Sequence, residues 1–205
     1  MESGEKLEAL RQQIETCTRC ELHRSATNAV PGEGNPNARI LLIGEAPGFH
    51  EDTNGKPFVG NSGKFLTELL AKAGLSREDV FITNVVKHRP PGNRDPLPDE
   101  MAACAHFLRE QIEIIDPDVI VTLGRFSMAK YFPGERISKI HGQPKEVDGR
   151  YIVPMYHPAA ALHNGSLRPE IEADFLKLPR LLAERDKERE ATAQKQIETR
   201  QQSLF

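Results

Sequence analysis

No run of about 18 apolar residues occurs in the chain, so the sequence offers no candidate membrane-spanning helix. Residues 1–6 lack the apolar core of a secretory leader, and a cytosolic protein is expected. Cysteine occurs three times. An odd, small number in an unsecreted chain argues against a disulfide framework and for metal ligands or free thiols. An excess of basic charge is missing too. With 27 Lys and Arg against 30 Asp and Glu the formal net charge is -3, so any contact with nucleic acid needs a local basic patch. Three signatures are absent: a G-x-S-x-G elbow, a P-loop, and a G-x-G-x-x-G after a strand. A serine-hydrolase triad and the familiar nucleotide-phosphate cradles are set aside with them.

What is present suits one α/β domain. The 205 residues, 38% hydrophobic and 28% charged, can bury one full core. Aliphatic runs at 39–43, 80–86, 118–123 and 151–156 read as buried strands. Pro154 suggests an edge position for the last of them. Apolar spacings place helices at 7–16, 64–73, 99–115, 125–132 and 169–182; Asp99 is the expected N-cap of the third. Residues 24–37 read as loop and 142–149 as turns. Alternating strands and helices predict a three-layer α/β/α domain over 1–182 around a four-stranded, mainly parallel sheet. The polar segment 183–205 is expected to be a frayed helix or a disordered tail.

The organising stretch is 43–60, which begins where the first apolar run stops. A long loop with no helical period, at the C-terminal end of a buried strand, is where open α/β sheets keep ligands. Its residue types have definite uses. Glu45, one residue past the strand, is placed to orient water. Phe58, between Pro57 and Val59-Gly60, is either an exposed stacking platform for a flat ring or a small satellite core. Asn84, ending the second strand, carries both donors and an acceptor that match a base edge; a turn-forming amide is the alternative. His157, after the fourth strand, can donate to developing negative charge or simply cap a helix. Topology predicts that the loops after strands one, two and four meet at one rim of the sheet.

Cys17 and Cys20 have the CxxC spacing of a metal-binding or redox pair. With Cys104 and His88 they make a candidate four-ligand site. Ligand type alone suits structural zinc at least as well as an iron–sulfur cluster, and an ordinary buried cysteine is the alternative for Cys104.

Several segments together resemble the family-4 uracil-DNA glycosylases. Gly44-Glu45-Ala46-Pro47-Gly48, Glu51-Asp52 and Gly55-Lys56-Pro57-Phe58-Val59-Gly60 are similar to that family's first motif. Thr83-Asn84-Val85-Val86-Lys87 with Arg89-Pro90-Pro91-Gly92-Asn93-Arg94 is similar to its second block, and His157-Pro158-Ala159-Ala160 to its closing motif. The resemblance spans about residues 17–182 and implies a DNA-repair enzyme that flips uracil out of DNA and hydrolyses its N-glycosidic bond. Catalytic roles then fall to Glu45 and His157, with Glu51 or Asp52 as other candidates for the water. Uracil would be held by Gly44, Phe58 and Asn84. Arg89, Arg94 and Arg168 would contact the DNA, with Leu162 or Leu167 as a wedge.

A [4Fe–4S] cluster, ahead of zinc, is implied on Cys17, Cys20, Cys104 and His88; the family usually has cysteine where this chain has His88. A related group traps uracil-DNA covalently through a histidine in an inserted basic loop. The corresponding residues 89–96 hold no histidine, so turnover is expected here in preference to covalent trapping or binding alone. The end, Gln201-Gln202-Ser203-Leu204-Phe205, is similar to a sliding-clamp-binding peptide. A monomer is expected.

Overall fold

A computed structural model describes the main chain of residues 2–202 and the side chains of residues 2–195. Two helices, α1 (Ser3–Glu15) and α2 (Leu22–Ser25), lead into β1 (Glu33–Gly34) and β2 (Ile40–Gly44). Then come α3 (Phe49–Asn54), α4 (Asn61–Lys72), β3 (Val80–Asn84), α5 (Pro98–Ile115) and β4 (Val119–Leu123). The second half holds α6 (Arg125–Ala129), α7 (Ile137–Ile140), β5 (Lys145–Val147), β6 (Arg150–Met155), α8 (Pro158–His163), α9 (Arg168–Phe175) and α10 (Leu178–Gln202).

The sheet has six strands in the order β1-β3-β2-β4-β6-β5. Its four inner strands run parallel, and β1 and β5 add one antiparallel strand at each edge. This corrects the expected count of four. The extra strands are two and three residues long, too short to show an alternating pattern in a loop-like composition. Pro154 lies in a strand with neighbours on both sides, yet β5 pairs only with Arg150 to Ile152. At Pro154 the outer side is taken by Gly142, whose N–H donates to the Pro154 carbonyl at 2.8 Å. The missing donor therefore costs no ladder bond.

Each inner strand is aliphatic on both faces because both faces are covered. Ile40, Leu42, Val80, Ile82, Val119, Val121, Val153 and Met155 point into one core, under α4, α9 and the start of α10. Leu41, Ile43, Phe81, Ile120 and Ile152 point into the other, against Leu108, Ile112 and Ile115 of α5 and Met128 of α6. Each such side chain taken from water contributes roughly 1.5–3 kcal/mol. A third cluster, Leu10, Ile14, Leu22, Val86, Cys104 and Phe107, joins α1 to α5.

Two other expectations change. The stretch after β2 is not wholly loop: its residues 49–54 form α3, six residues being too few for a visible period. The N-cap of α5 is Leu97, two residues before Asp99, because Pro98 is accepted in the first turn, where no N–H is needed. The segment from 183, expected as a frayed helix or a disordered tail, continues α10 as helix to Gln202. Its polar face is held to the sheet: Asp186 accepts from Arg39 at 2.7 Å and Glu188 from the Tyr151 hydroxyl at 2.5 Å. The clamp-like peptide at 201–205 lies outside the residues whose side chains are described.

Candidate active site

The register of the sheet sets Gly44 opposite Asn84, so β2 and β3 end level at one rim. The chain leaving β6 reaches His157 at the same rim. There a cavity of about 610 Å³ is lined by residues from four segments, among them Glu45, Glu51, Phe58, Asn84, Asn93, Arg94 and His157. Glu45, Phe58, Asn84 and His157, singled out from separate parts of the sequence, thus share one wall system.

Phe58 is buried, at 5% exposure, and belongs to the main core as well as the cavity wall. Its ring stacks on His157, with centroids 5.3 Å apart and planes at 25°. Its backbone sits in the left-handed region at φ 53°, an uncommon place for a phenylalanine. Two glycines make room for it. A Cβ on Gly44 would come 2.8 Å from the Phe58 ring and collide with Asn84 Oδ1; a Cβ on Gly63 would overlap the Phe58 carbonyl. The Arg77 guanidinium donates to the carbonyls of Phe58 and Pro57, at 3.2 and 2.9 Å.

Three acidic residues on this stretch have different occupations. Glu51 Oε1 accepts from the N–H groups of Val59 and Gly60, at 2.8 and 2.9 Å, and so clasps the segment that carries Phe58. Asp52 is buried and accepts from the N–H groups of Thr27 and Asn28. The Glu45 carboxylate, by contrast, has no hydrogen-bond partner among the described residues; only its main-chain carbonyl is engaged, by the Val86 N–H at 3.2 Å. It is half-buried, and burial raises its carboxyl above the ordinary value; Asp95 pushes the same way and Arg125 opposes.

Asn84 is 2% exposed, yet its side-chain amide makes no protein hydrogen bond among the described residues. A buried amide without partners is costly unless a ligand or water completes it. Its main chain is fixed from behind by Lys87, which sequence reasoning passed over. Lys87 is fully buried and donates to Thr83 Oγ1, the Asn84 carbonyl and Gln111 Oε1, at 2.7, 2.8 and 2.7 Å. Burial lowers its pKa to about 8, with Cys104 opposing.

His157 caps α8: its Nδ1 accepts from the Ala159 N–H at 3.1 Å. That leaves the proton of the neutral ring on Nε2. Burial pushes the imidazole down to about 4, against a smaller opposing effect of Glu51. At neutral pH the site therefore holds an uncharged imidazole that donates through Nε2.

The rim residues divide. Leu162 is 52% exposed, whereas Leu167 is partly buried against the main core. Arg168 pairs with Glu172 and Glu68 and lies over the Phe65 ring. Arg94 is bidentate to buried Glu100, at 2.9 and 2.6 Å. Arg89 lies 5.2 Å from the Phe49 ring centroid. Arg125, paired with Asp95 beside the cavity, was not anticipated.

The three cysteines are free thiols packed on the third apolar cluster, which also takes Ala46, the residue after Glu45. Burial raises the Cys20 and Cys104 thiols; Lys87 pulls Cys104 the other way. His88 is buried, with its imidazole lowered by burial and by His23. Cys17, His23 and His88 line a second cavity of about 640 Å³. His23 donates from Nδ1 to the Cys20 carbonyl at 2.7 Å, leaving Nε2 free to accept. Among the described residues no three His, Cys, Asp or Glu side chains are grouped tightly enough to hold a single metal ion. The donor set, three sulfurs and an imidazole around an apolar cluster, suits a larger thiophilic group better than one hard cation.

A sequence model of the uracil DNA glycosylase superfamily matches residues 31–178. The chain is 48% identical over 186 residues to a type-4 uracil-DNA glycosylase of Archaeoglobus fulgidus, covering 86% of this chain and 94% of that one. It is 49% identical over 165 residues to the type-4 enzyme of Thermotoga maritima, covering 79% and 86%. A third type-4 enzyme, from Sulfurisphaera tokodaii, is 49% identical over 187 residues, covering 86% and 85%.

Proposed function

This chain belongs to the uracil DNA glycosylase superfamily, and from that premise we propose how its cavity treats the substrate. The protein is a DNA-repair hydrolase that excises uracil by cleaving the N-glycosidic bond. One observation carries the assignment of roles. An unpartnered amide, an unpartnered carboxylate and an Nε2–H donor face one cavity beside an aromatic ring.

A base inside a duplex stack is out of reach, so the nucleotide must be turned into the cavity. The flipped ring meets Phe58. The Asn84 amide donates to uracil O4 and accepts from N3–H. Cytosine presents the reverse pattern and would leave buried groups unpaired. As the glycosidic bond breaks, negative charge grows on uracil O2 and positive charge on the sugar. The neutral His157 donates from Nε2 to that oxygen and does not need to be charged to do so. Glu45 takes the water. Glu51 and Asp52 are spent on backbone N–H groups, which leaves Glu45 as the carboxylate free to accept a proton. Because its carboxyl is raised by burial, it is a better base than an exposed glutamate would be.

Cys17, Cys20, Cys104 and His88 would hold the [4Fe–4S] cluster, with zinc as the alternative occupant. When bound, the group supplies cross-linking between α1, the segment after β3, and α5. The chain's own residues would pass that order to the site: Ala46 packs on the apolar cluster that holds Cys104, and Lys87, which interacts with Cys104, donates to the Asn84 carbonyl. Arg89 offers positive charge to phosphates at the rim; Arg94 and Arg125 reach the same rim with their charge shared with Glu100 and Asp95, and Leu162 is the better-exposed wedge. Arg168 and Leu167 are less available. We keep a sliding clamp as the proposed partner of residues 201–205, a monomer as the working unit, and the cytosol as its place.

The test is cleavage of a single-uracil oligonucleotide, followed by alkali to break the strand at an abasic site. The intact protein should yield scission that Asn84→Ala removes. Tight binding with no scission at any protein concentration would overturn the reading.

A further inference from the structure

Large exposed apolar side chains are few among the described residues: Phe49, Leu97, Leu162 and Leu176. Two of them flank the cavity wall in sequence. Leu162 precedes His163, and Phe49 follows Pro47 and Gly48, all of which line the cavity. Leu162 has a place in the reaction as wedge; Phe49 has none. At 57% exposure Phe49 is the one exposed phenylalanine among the described residues, and it packs into none of the three cores.

Its surroundings are ordered. Arg89 lies over the ring, 5.2 Å from the centroid, and His50 meets it edge-on at 5.5 Å and 78°. Arg89 is itself held, donating from Nε to Asn93 Oδ1 at 2.7 Å. Asn93 and the Pro90 next to Arg89 both line the cavity. An aromatic face and a guanidinium plane are thus fixed together just outside the mouth, joined to two different walls of it. Water gains nothing from this arrangement, and the core gains little. A flat, electron-rich ring on a polyanionic strand gains on both counts, by stacking and by charge.

We propose that the Phe49–Arg89 pair is a stacking platform for the unpaired nucleobase next to the flipped uracil in single-stranded DNA. In a duplex that neighbour stays paired and stacked, so the platform favours single-stranded substrate. This rests on the cavity taking uracil. It adds a second base-binding position outside the cavity, and it gives Arg89 a ring to hold in addition to a phosphate.

A double-mutant cycle across protein and DNA tests it. The protein variants are Phe49→Ala and Phe49→Trp. The single-stranded oligonucleotides carry one uracil, with the base on its 5′ or 3′ side either present or replaced by a base-free tetrahydrofuran residue. For the intact protein, removing one of the two neighbours should raise KM by about tenfold, in the range expected for one base stacked on one aromatic. Phe49→Ala should raise KM by a similar factor on normal DNA, keep kcat, and become indifferent to that neighbour. Phe49→Trp should restore the dependence. On duplex DNA Phe49→Ala should change KM by less than about twofold.

If the two losses multiply, or if Phe49→Ala lowers kcat alike on every substrate, the ring only braces the wall and the proposal is overturned. It is overturned as well if Phe49→Ala has no effect. Scission by the intact protein keeps the two ideas apart. Its absence removes the glycosylase reading itself, whereas scission with multiplying losses removes the platform alone.

Discussion

The two ends of the parallel sheet each carry a carboxylate that is at least half out of water, and they treat it in opposite ways. Asp118, just before β4, is 2% exposed and is met by Arg39 Nε at 2.6 Å and by Arg189. Glu45, just after β2, is half-buried and its carboxylate has no hydrogen-bond partner among the described residues. The paired charge fastens α10 across the foot of the sheet. The unpaired one raises the cost of the native state at neutral pH and gains a proton affinity suited to a base. The carboxylate left without a hydrogen-bond partner is at the end proposed to do the chemistry, with Arg125 opposing its raised proton affinity only in part.

The largest effect should come from removing the lone carboxylate. Glu45→Gln is expected to lower kcat by roughly 10²–10⁴-fold, a usual range for a general base. Thermal unfolding of the same variant should show an equal or higher Tm, because a charge that burial disfavours is gone. Asp118→Asn should do the reverse: turnover per folded molecule unchanged, stability lower by about 1–3 kcal/mol, since its arginine partners stay partly in water. A Glu45→Gln protein that unfolds early, or an Asp118→Asn protein that folds but does not turn over, breaks the contrast.

Dependence on pH sharpens it. The acid limb of kcat/KM should follow Glu45, with a midpoint above the ordinary glutamate value and activity rising with pH. The limb should vanish in Glu45→Gln when residual turnover is measured. Stability has its own dependence through His157, whose pKa is pushed down to about 4. A histidine lowered on folding favours the native state above its unfolded pKa of about 6.5. That contribution is lost as pH falls toward 4, so chemical denaturation should show stability declining over this window. His157→Gln should flatten the decline.

A smaller effect is expected at the proposed cluster ligands. His88→Ala should lower bound iron and broad visible absorbance by about half or more, while His88→Cys should keep both; unchanged metal content in His88→Ala would remove His88 from the ligand set. The smallest belongs to Arg168. Its charge is shared between Glu172 and Glu68, so Arg168→Ala should alter KM for DNA by about twofold or less. Leu162→Ala should exceed it. A large effect at Arg168 would mean that these pairs open when DNA arrives.

Much of the site was legible because its parts are tied to strand ends. Once the aliphatic runs were recognised, chain direction alone brought Glu45, Asn84 and His157 to one rim. The burial of Phe58 was half legible, as the small-core reading of the two offered; its place in the main core was not, since it depends on a left-handed backbone and on Gly44 and Gly63 standing aside. Nor was the division among Glu45, Glu51 and Asp52. Three acids within eight residues look alike in sequence, and only the fold shows that two of them serve backbone N–H groups. The pairing of the arginines was hidden in the same way: Arg94 meets Glu100 of α5, and Arg168 meets Glu68 of α4 as well as Glu172 on its own helix. The edge strands and α3 escaped because they are shorter than the period that would reveal them.

The ring at position 58 is installed by the main chain and not by its own choice of rotamer. Its position is held by the absent Cβ atoms of Gly44 and Gly63 and by the clasp of Glu51. Its chemistry is held by nothing but the side chain. Such a pocket can drift in what it accepts without drifting in where it sits. A change at Phe58 would alter the surface offered to a base, while a change at Gly63 would dismantle the mount.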